Sequence, residues 1–161
     1  MSQNFVRRHA ELRPVDVDLV EKGLWEWYRL IQVAGSRGAV IPSIIVSDMW
    51  AEHAVRSDEY EEFCKRCFGR VRRFMPPPAH EVGTAQDVAY REILRDTYMF
   101  ANKTHDGNGL PLLFSIDERL GVPGGRRYVA DCGSQPCSAD RAFCCKHLPK
   151  REYDDYDANR G

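Results

Sequence analysis

Tyr60, Phe63, Cys64, Cys67, Phe68 and Val71 recur at i, i+3, i+4, i+7, i+8 and i+11. A strand would scatter these side chains over both its faces, whereas an α-helix gathers them on one stripe. This stretch therefore predicts an amphipathic helix that must be covered on one side. Three further stretches carry the same period. Val20, Leu24, Trp27, Ile31 and Ala34 form a stripe on a helix that Asp16 or Asp18 caps and that runs to about Ala34. Pro42 suits the first turn of a helix reaching Val55, and Ser57 caps the helix that holds Tyr60. Thr84 opens one more, to Lys103, with Ala89, Tyr90, Ile93, Leu94, Thr97 and Ala101 facing inward. Gly35-Ser36-Arg37-Gly38 and Pro76-Pro77-Pro78 separate these units, since glycine loosens a helix and prolines cannot continue one. The expected fold is mainly α, a compact bundle of about four helices. Trp27, Trp50, Tyr60, Phe63, Phe68 and Leu94 are expected in one core.

The texture changes after His105. Asp106-Gly107-Asn108-Gly109 is turn chemistry, and Leu110–Ile116 reads as a short strand or extended apolar segment. Residues 121–150, rich in Gly, Pro, Cys and basic side chains, are expected to form an irregular Cys/His-rich region within a single domain over 1–150. Residues 151–161 are polar and acidic, with little to bury, and are expected as a disordered tail. The length of 161 residues fits one domain. A formal net charge of −1 gives no global field toward nucleic acid or membranes. No stretch approaches the about 20 apolar residues of a membrane span, and the N-terminus lacks a secretory apolar region. These features point to the cytoplasm, where cysteines more often serve as thiols or metal ligands than as disulfides.

The densest chemistry is Cys132, Cys137, Cys144, Cys145 and His147, spaced C-x4-C-x6-C-C-x-H. Zinc takes four thiolate or imidazole ligands in a tetrahedron, and a loop turning at Gly133 and Pro136 can present them. Cys132 with Cys137 makes the first pair, and Cys144 or Cys145 with His147 the second. The tighter C-x2-C knuckle is missing here. Free thiols and a disulfide remain the alternatives to metal. Cys64 and Cys67 do form a C-x2-C, but on a helix stripe beside Phe63 and Phe68, where cysteine acts as a small hydrophobe.

His53 shares a helix face with Val46, Trp50 and Ala54, the setting of a hydrogen-bonded boundary histidine or of a ligand. Arg66, Arg70, Arg72 and Arg73, with Arg126 and Arg127 nearer the cysteines, would bind phosphates if they converged, and otherwise are solvated charges. The chain has no phosphate-binding glycine loop and no G-x-S-x-G elbow, and Asp106–Gly109 lacks the distal Glu of a calcium loop.

Asp48-Met49-Trp50-Ala51-Glu52-His53, followed by Tyr60-x-x-Phe63-Cys64-x-x-x-Phe68-Gly69-Arg70, resembles a group of small bacterial proteins. These are similar to the N-terminal helical region of plant glycine-rich-domain proteins. The shared pattern runs roughly D-x-x-W-H-x-H, a spacer, then Y-x-x-F-C-x-x-x-F-G, and bacterial members end in a run of Cys and His. The resemblance covers roughly residues 45–150 and implies the helical fold without an activity. Ala51 stands where the pattern has its first histidine, and Arg72-Arg73-Phe74 where further histidines follow the glycine. Of any histidine site the chain keeps only His53.

Three functional readings follow. The first is a non-catalytic interaction module with a structural zinc loop, its partner a protein or, through the arginines, nucleic acid. The second is a metalloenzyme with an open metal site near His53. The third is a thiol protein responding to oxidation at Cys144 and Cys145. The first leads, because no nucleophile, base and orienting partner stand together in the chain.

Overall fold

A computed structural model describes residues 3–75, 83–133 and 143–151. Six α-helices lie within them: α1 (Gln3–Arg8), α2 (Pro14–Ala34), α3 (Ile44–Val55), α4 (Ser57–Phe68), α5 (Ala85–Lys103) and α6 (Leu112–Arg119). A short parallel pair follows, β1 (Tyr128–Val129) beside β2 (Phe143–Cys144), and then a 3-10 turn over Cys145–His147. The mainly helical architecture agrees with the sequence reading. Cys137 and the expected tail over 152–161 lie outside the described residues.

The long α2 is the axis of the bundle and packs against α3, α5 and α6. Its start is set by Pro14 at the first helical position and by Asp16, whose carboxylate accepts the Arg13 backbone N–H at 3.0 Å. Asp16 is thus inside the first turn and is not the cap itself. Midway, Gly23 lets α3 approach closely, since a Cβ there would meet Val46 Cγ2 at 2.9 Å.

The start of α3 also departs from expectation. Pro42 precedes the helix, and Ser43 caps it, its Oγ accepting the Val46 N–H at 3.1 Å. The Pro42 carbonyl accepts the Tyr128 hydroxyl at 2.8 Å, which pins β1 to this corner. Ser57 is likewise the first residue of α4 rather than its cap, and Gly69, at φ +69°, ends that helix in the left-handed conformation. Thr84 caps α5 as expected, accepting the Asp87 N–H at 3.2 Å.

Two elements differ from the sequence reading. Leu112–Arg119 is a helix, not a strand. Pro111 starts it, and Leu113, Phe114, Ile116 and Asp117 turn inward at helical spacing. A short apolar run has no period that separates the two structures, and burial against α2 and α3 selects the helix. The second is α1, which carries a single buried anchor, the fully buried Phe5. It docks on α3 through a 2.8 Å Arg8–Glu52 ion pair and the 3.3 Å approach of His9 to Asp48.

Trp27, Trp50, Tyr60 and Leu94 are buried in one core with Phe5, Phe114 and Ile116. Phe63 and Phe68 pack against that core but are only partly buried. Val71 and Ala89, expected inside, are exposed. Arg151, expected to begin the tail, is held by a 3.2 Å ion pair to the mostly buried Asp96 and donates to the Arg37 carbonyl.

Candidate metal centre

The parallel strand pair places the cysteines. Phe143 donates its N–H to the Arg127 carbonyl at 2.8 Å, and Lys146 to the Ala130 carbonyl at 3.2 Å. These two bonds align the chain after β1, which carries Cys132, with β2 and the turn beyond it, which carry Cys144 and His147. Gly133 turns the backbone just past Cys132 at φ +65°, a conformation that favours glycine. The ligand atoms of Cys132, Cys144 and His147 all fall within 4.8 Å of one another. Cys132 Sγ and His147 Nδ1 are 3.2 Å apart. Zn–S and Zn–N bonds of about 2.3 and 2.0–2.1 Å would put tetrahedral ligand atoms about 3.5–3.8 Å apart, so the spacing fits a metal with small adjustments. The three residues form a group able to hold a metal ion. Cys132 is half-buried, Cys144 buried and His147 exposed, so the group sits at the surface with one wall on the protein.

The neighbouring cysteines part company. Consecutive residues of an extended chain point to opposite sides. Cys144 belongs to the group, while Cys145 is 3% exposed and joins the hydrophobic core. Burial pushes the Cys145 thiol up to about 12, with the nearby Cys144 adding to the effect. A redox-responding thiol needs the opposite, a lowered pKa and access to solvent. Beside the group, the Lys146 ammonium hydrogen-bonds Asp131 at 2.6 Å and holds its carboxyl below the usual range. Asp131 also accepts the Gly133 N–H at 2.9 Å and so braces the turn. Nothing in the sequence marks Asp131 for this.

His53 lies in a different setting. Its Nδ1 is 2.6 Å from the Tyr28 hydroxyl, and the rings of Tyr28, Tyr60 and Phe63 surround it at 5.1–5.8 Å. Burial lowers the imidazole and raises the Tyr28 hydroxyl. Both groups are thus held neutral, and the histidine tautomer sets which of them donates. Among the described residues His53 joins no metal-capable group. It is a hydrogen-bonded boundary residue. Cys64 is fully buried and Cys67 half-buried, neither in a disulfide, in keeping with their place on the α4 stripe.

The flagged arginines have different neighbours. Arg126 stacks on the Tyr90 ring at 5.0 Å, and Arg127 pairs with Glu118. Arg66 is exposed on α4, and Arg70, Arg72 and Arg73 line a cleft that Tyr90 also lines. No helix among the described residues is long and apolar enough to cross a membrane.

A family profile described as UCP032817-like matches residues 1–148. No curated protein and no solved structure matches the chain.

Proposed function

The chain belongs to the UCP032817-like family, and on that premise, which brings no activity with it, we propose a non-catalytic interaction module whose C-terminal segment is stapled by one zinc ion. The observation that carries this reading is the convergence of Cys132, Cys144 and His147 within 4.8 Å. Two thiolates and an imidazole are zinc's preferred donors, and Cys137 is the remaining candidate for the fourth position. Four protein ligands close the site and leave no open position for a substrate. The staple has a physical task. The segment after α6 has few apolar anchors, chiefly Tyr128, Cys145 and Leu148. Ligation would offset the entropy of ordering the rest. The partner is proposed to be a protein rather than nucleic acid. Trp25, 58% exposed on α2 beside Phe63, is the kind of aromatic anchor such interfaces use.

The test is elemental analysis of protein purified without chelator. Wild type should carry one zinc per chain. Cys132→Ser, Cys137→Ser and Cys144→Ser should lose it, while Cys145→Ser should keep it. Less than about a tenth of an equivalent in wild type, with no stabilisation on adding zinc, would sink the reading, because a structural site binds with about 10–16 kcal/mol.

A further inference from the structure

A cleft of about 670 Å³, with no cysteine in its lining among the described residues, opens on the bundle between α2, the loop at 38–41, the segment after α4 and the first half of α5. Its size falls within the about 300–1,000 Å³ of small-molecule sites. Trp27, Trp50 and Tyr90 are among its lining residues, together with Ile31 and Ile93. The two indoles meet edge to face at 5.5 Å, so each is held rigid by the other.

The charge of the lining is one-sided. Arg70, Arg72 and Arg73 all line the cleft, and no Asp or Glu does so among the described residues. The chain as a whole balances 23 Lys and Arg against 24 Asp and Glu, so three arginines without a carboxylate are a local bias. These arginines are also positioned. Trp50 Nε1 donates to the Tyr60 hydroxyl at 2.9 Å, and that hydroxyl donates to the Arg72 carbonyl at 2.7 Å. A cleft-lining indole thus fixes the backbone that carries the arginines. Near the cleft, the Nε of Arg72 and the indole N–H of Trp27 are buried donors without a hydrogen-bond partner among the described residues. Leaving a buried donor without an acceptor costs about 1–3 kcal/mol. An anion in the cleft would pair with the exposed guanidinium groups of Arg70 and Arg73.

We propose that this cleft is a binding site for a small organic anion, an apolar body carrying one carboxylate or sulfonate-like group. The body packs against the accessible apolar lining, Val71, Met75 and Ile93, and the acid group pairs with Arg70, Arg72 and Arg73. Apolar burial supplies the affinity for the body, and guanidinium–carboxylate bonds are roughly twice as strong as neutral ones. The site is independent of the zinc reading and shares no residue with it.

The test uses the full chain and anilinonaphthalene sulfonate, an aromatic anion that fluoresces on apolar surfaces, with naphthoate and naphthalenemethanol as competitors. The probe should saturate at one per chain, and naphthoate should displace it. Uncharged naphthalenemethanol, which has the same body, should bind at least about tenfold more weakly, the equivalent of about 1.4 kcal/mol. The exposed pair Arg70→Gln/Arg73→Gln should weaken both anions by a similar factor. Ala89→Trp, which fills the cleft from α5, should abolish binding. Near-UV circular dichroism and melting should match wild type in both variants. Absence of saturable binding, equal affinity for the neutral competitor, or unaltered binding in both variants would overturn the proposal. So would a dimer, seen by light scattering, that dissociates as probe binds, since a second copy would then be the occupant.

Discussion

Ser43 donates its hydroxyl to Asp117 at 2.6 Å, joining the first residue before α3 to the body of α6 across 74 positions of sequence. The Asp117 carboxylate also accepts the backbone N–H groups of Ile44 at 2.8 Å, Ile45 at 3.3 Å and Arg126 at 2.9 Å. It is 3% exposed, and no salt-bridge partner offsets it among the described residues. Its charge faces the N-terminus of α3, where helix dipoles favour an anion. One side chain therefore ties two helices to the start of the segment that leads to the cysteines.

Replacing Asp117 by Ala orphans several buried donors at once, each worth about 1–3 kcal/mol. Urea unfolding of Asp117→Ala should show a loss of at least about 3 kcal/mol. Ser43→Ala, which removes one cap, should lose about 1 kcal/mol. If Asp117→Ala melts like wild type, the carboxylate is not the clamp described above.

Gly23→Ala sets two effects against each other. Alanine is the better helix former by about 1 kcal/mol. The new Cβ, however, would stand 2.9 Å from Val46 Cγ2 and 3.5 Å from Ile116 Cδ1. Val46 is β-branched and fully buried, so it yields poorly, and overpacking of this kind costs about 1–3 kcal/mol. The variant should be destabilised by about 1 kcal/mol in denaturant titration. A stabilised variant would show that α2 and α3 separate easily.

Cys144 and Cys145 should differ in chemistry despite their adjacency. With its thiol raised to about 12, Cys145 is almost wholly protonated at neutral pH. Native protein treated with chelator and iodoacetamide should label Cys132 well before Cys145, with Cys145 reacting only on unfolding, as read by peptide mass spectrometry. The raised pKa also has a stability sign. The folded state keeps the Cys145 proton that the unfolded chain releases near 9.0, so this contribution is complete below 9.0 and fades as pH climbs toward about 12. Cys145→Ala should flatten that part of the alkaline decline.

His53 acts at the other end of the pH scale. Its folded pKa lies below the ordinary value of 6.5 because the ring is buried, so the unfolded chain takes up a proton first as pH falls. The neutral-histidine contribution is present above 6.5 and is lost as pH drops through the folded pKa. Melting temperature should therefore decline below 6.5, and His53→Gln should decline less over the same range. Equal acid sensitivity in the two proteins would remove His53 from the account.

The helical periods legible in Val20–Ala34, Tyr60–Phe68 and Tyr90–Ala101 were enough to specify α2, α4 and α5. An amphipathic stripe depends only on neighbours three and four residues away, and those are local in the chain. The cysteine cluster was legible as composition for the same reason. What needed the tertiary structure was every choice between local equals. Leu112–Arg119 became a helix because α2 and α3 bury it. Phe5 anchors α1 only because α3 offers it a place. Cys144 rather than Cys145 meets Cys132 and His147 because the β1–β2 pairing sets Cys144 beside them while its neighbour joins the core. Asp117 and Ser43, so distant in sequence, carry no pattern that a periodicity can detect. Periodicity reports which face of an element is apolar; which element covers that face, and which polar group ends beside which, is decided by packing over distances the local sequence does not encode.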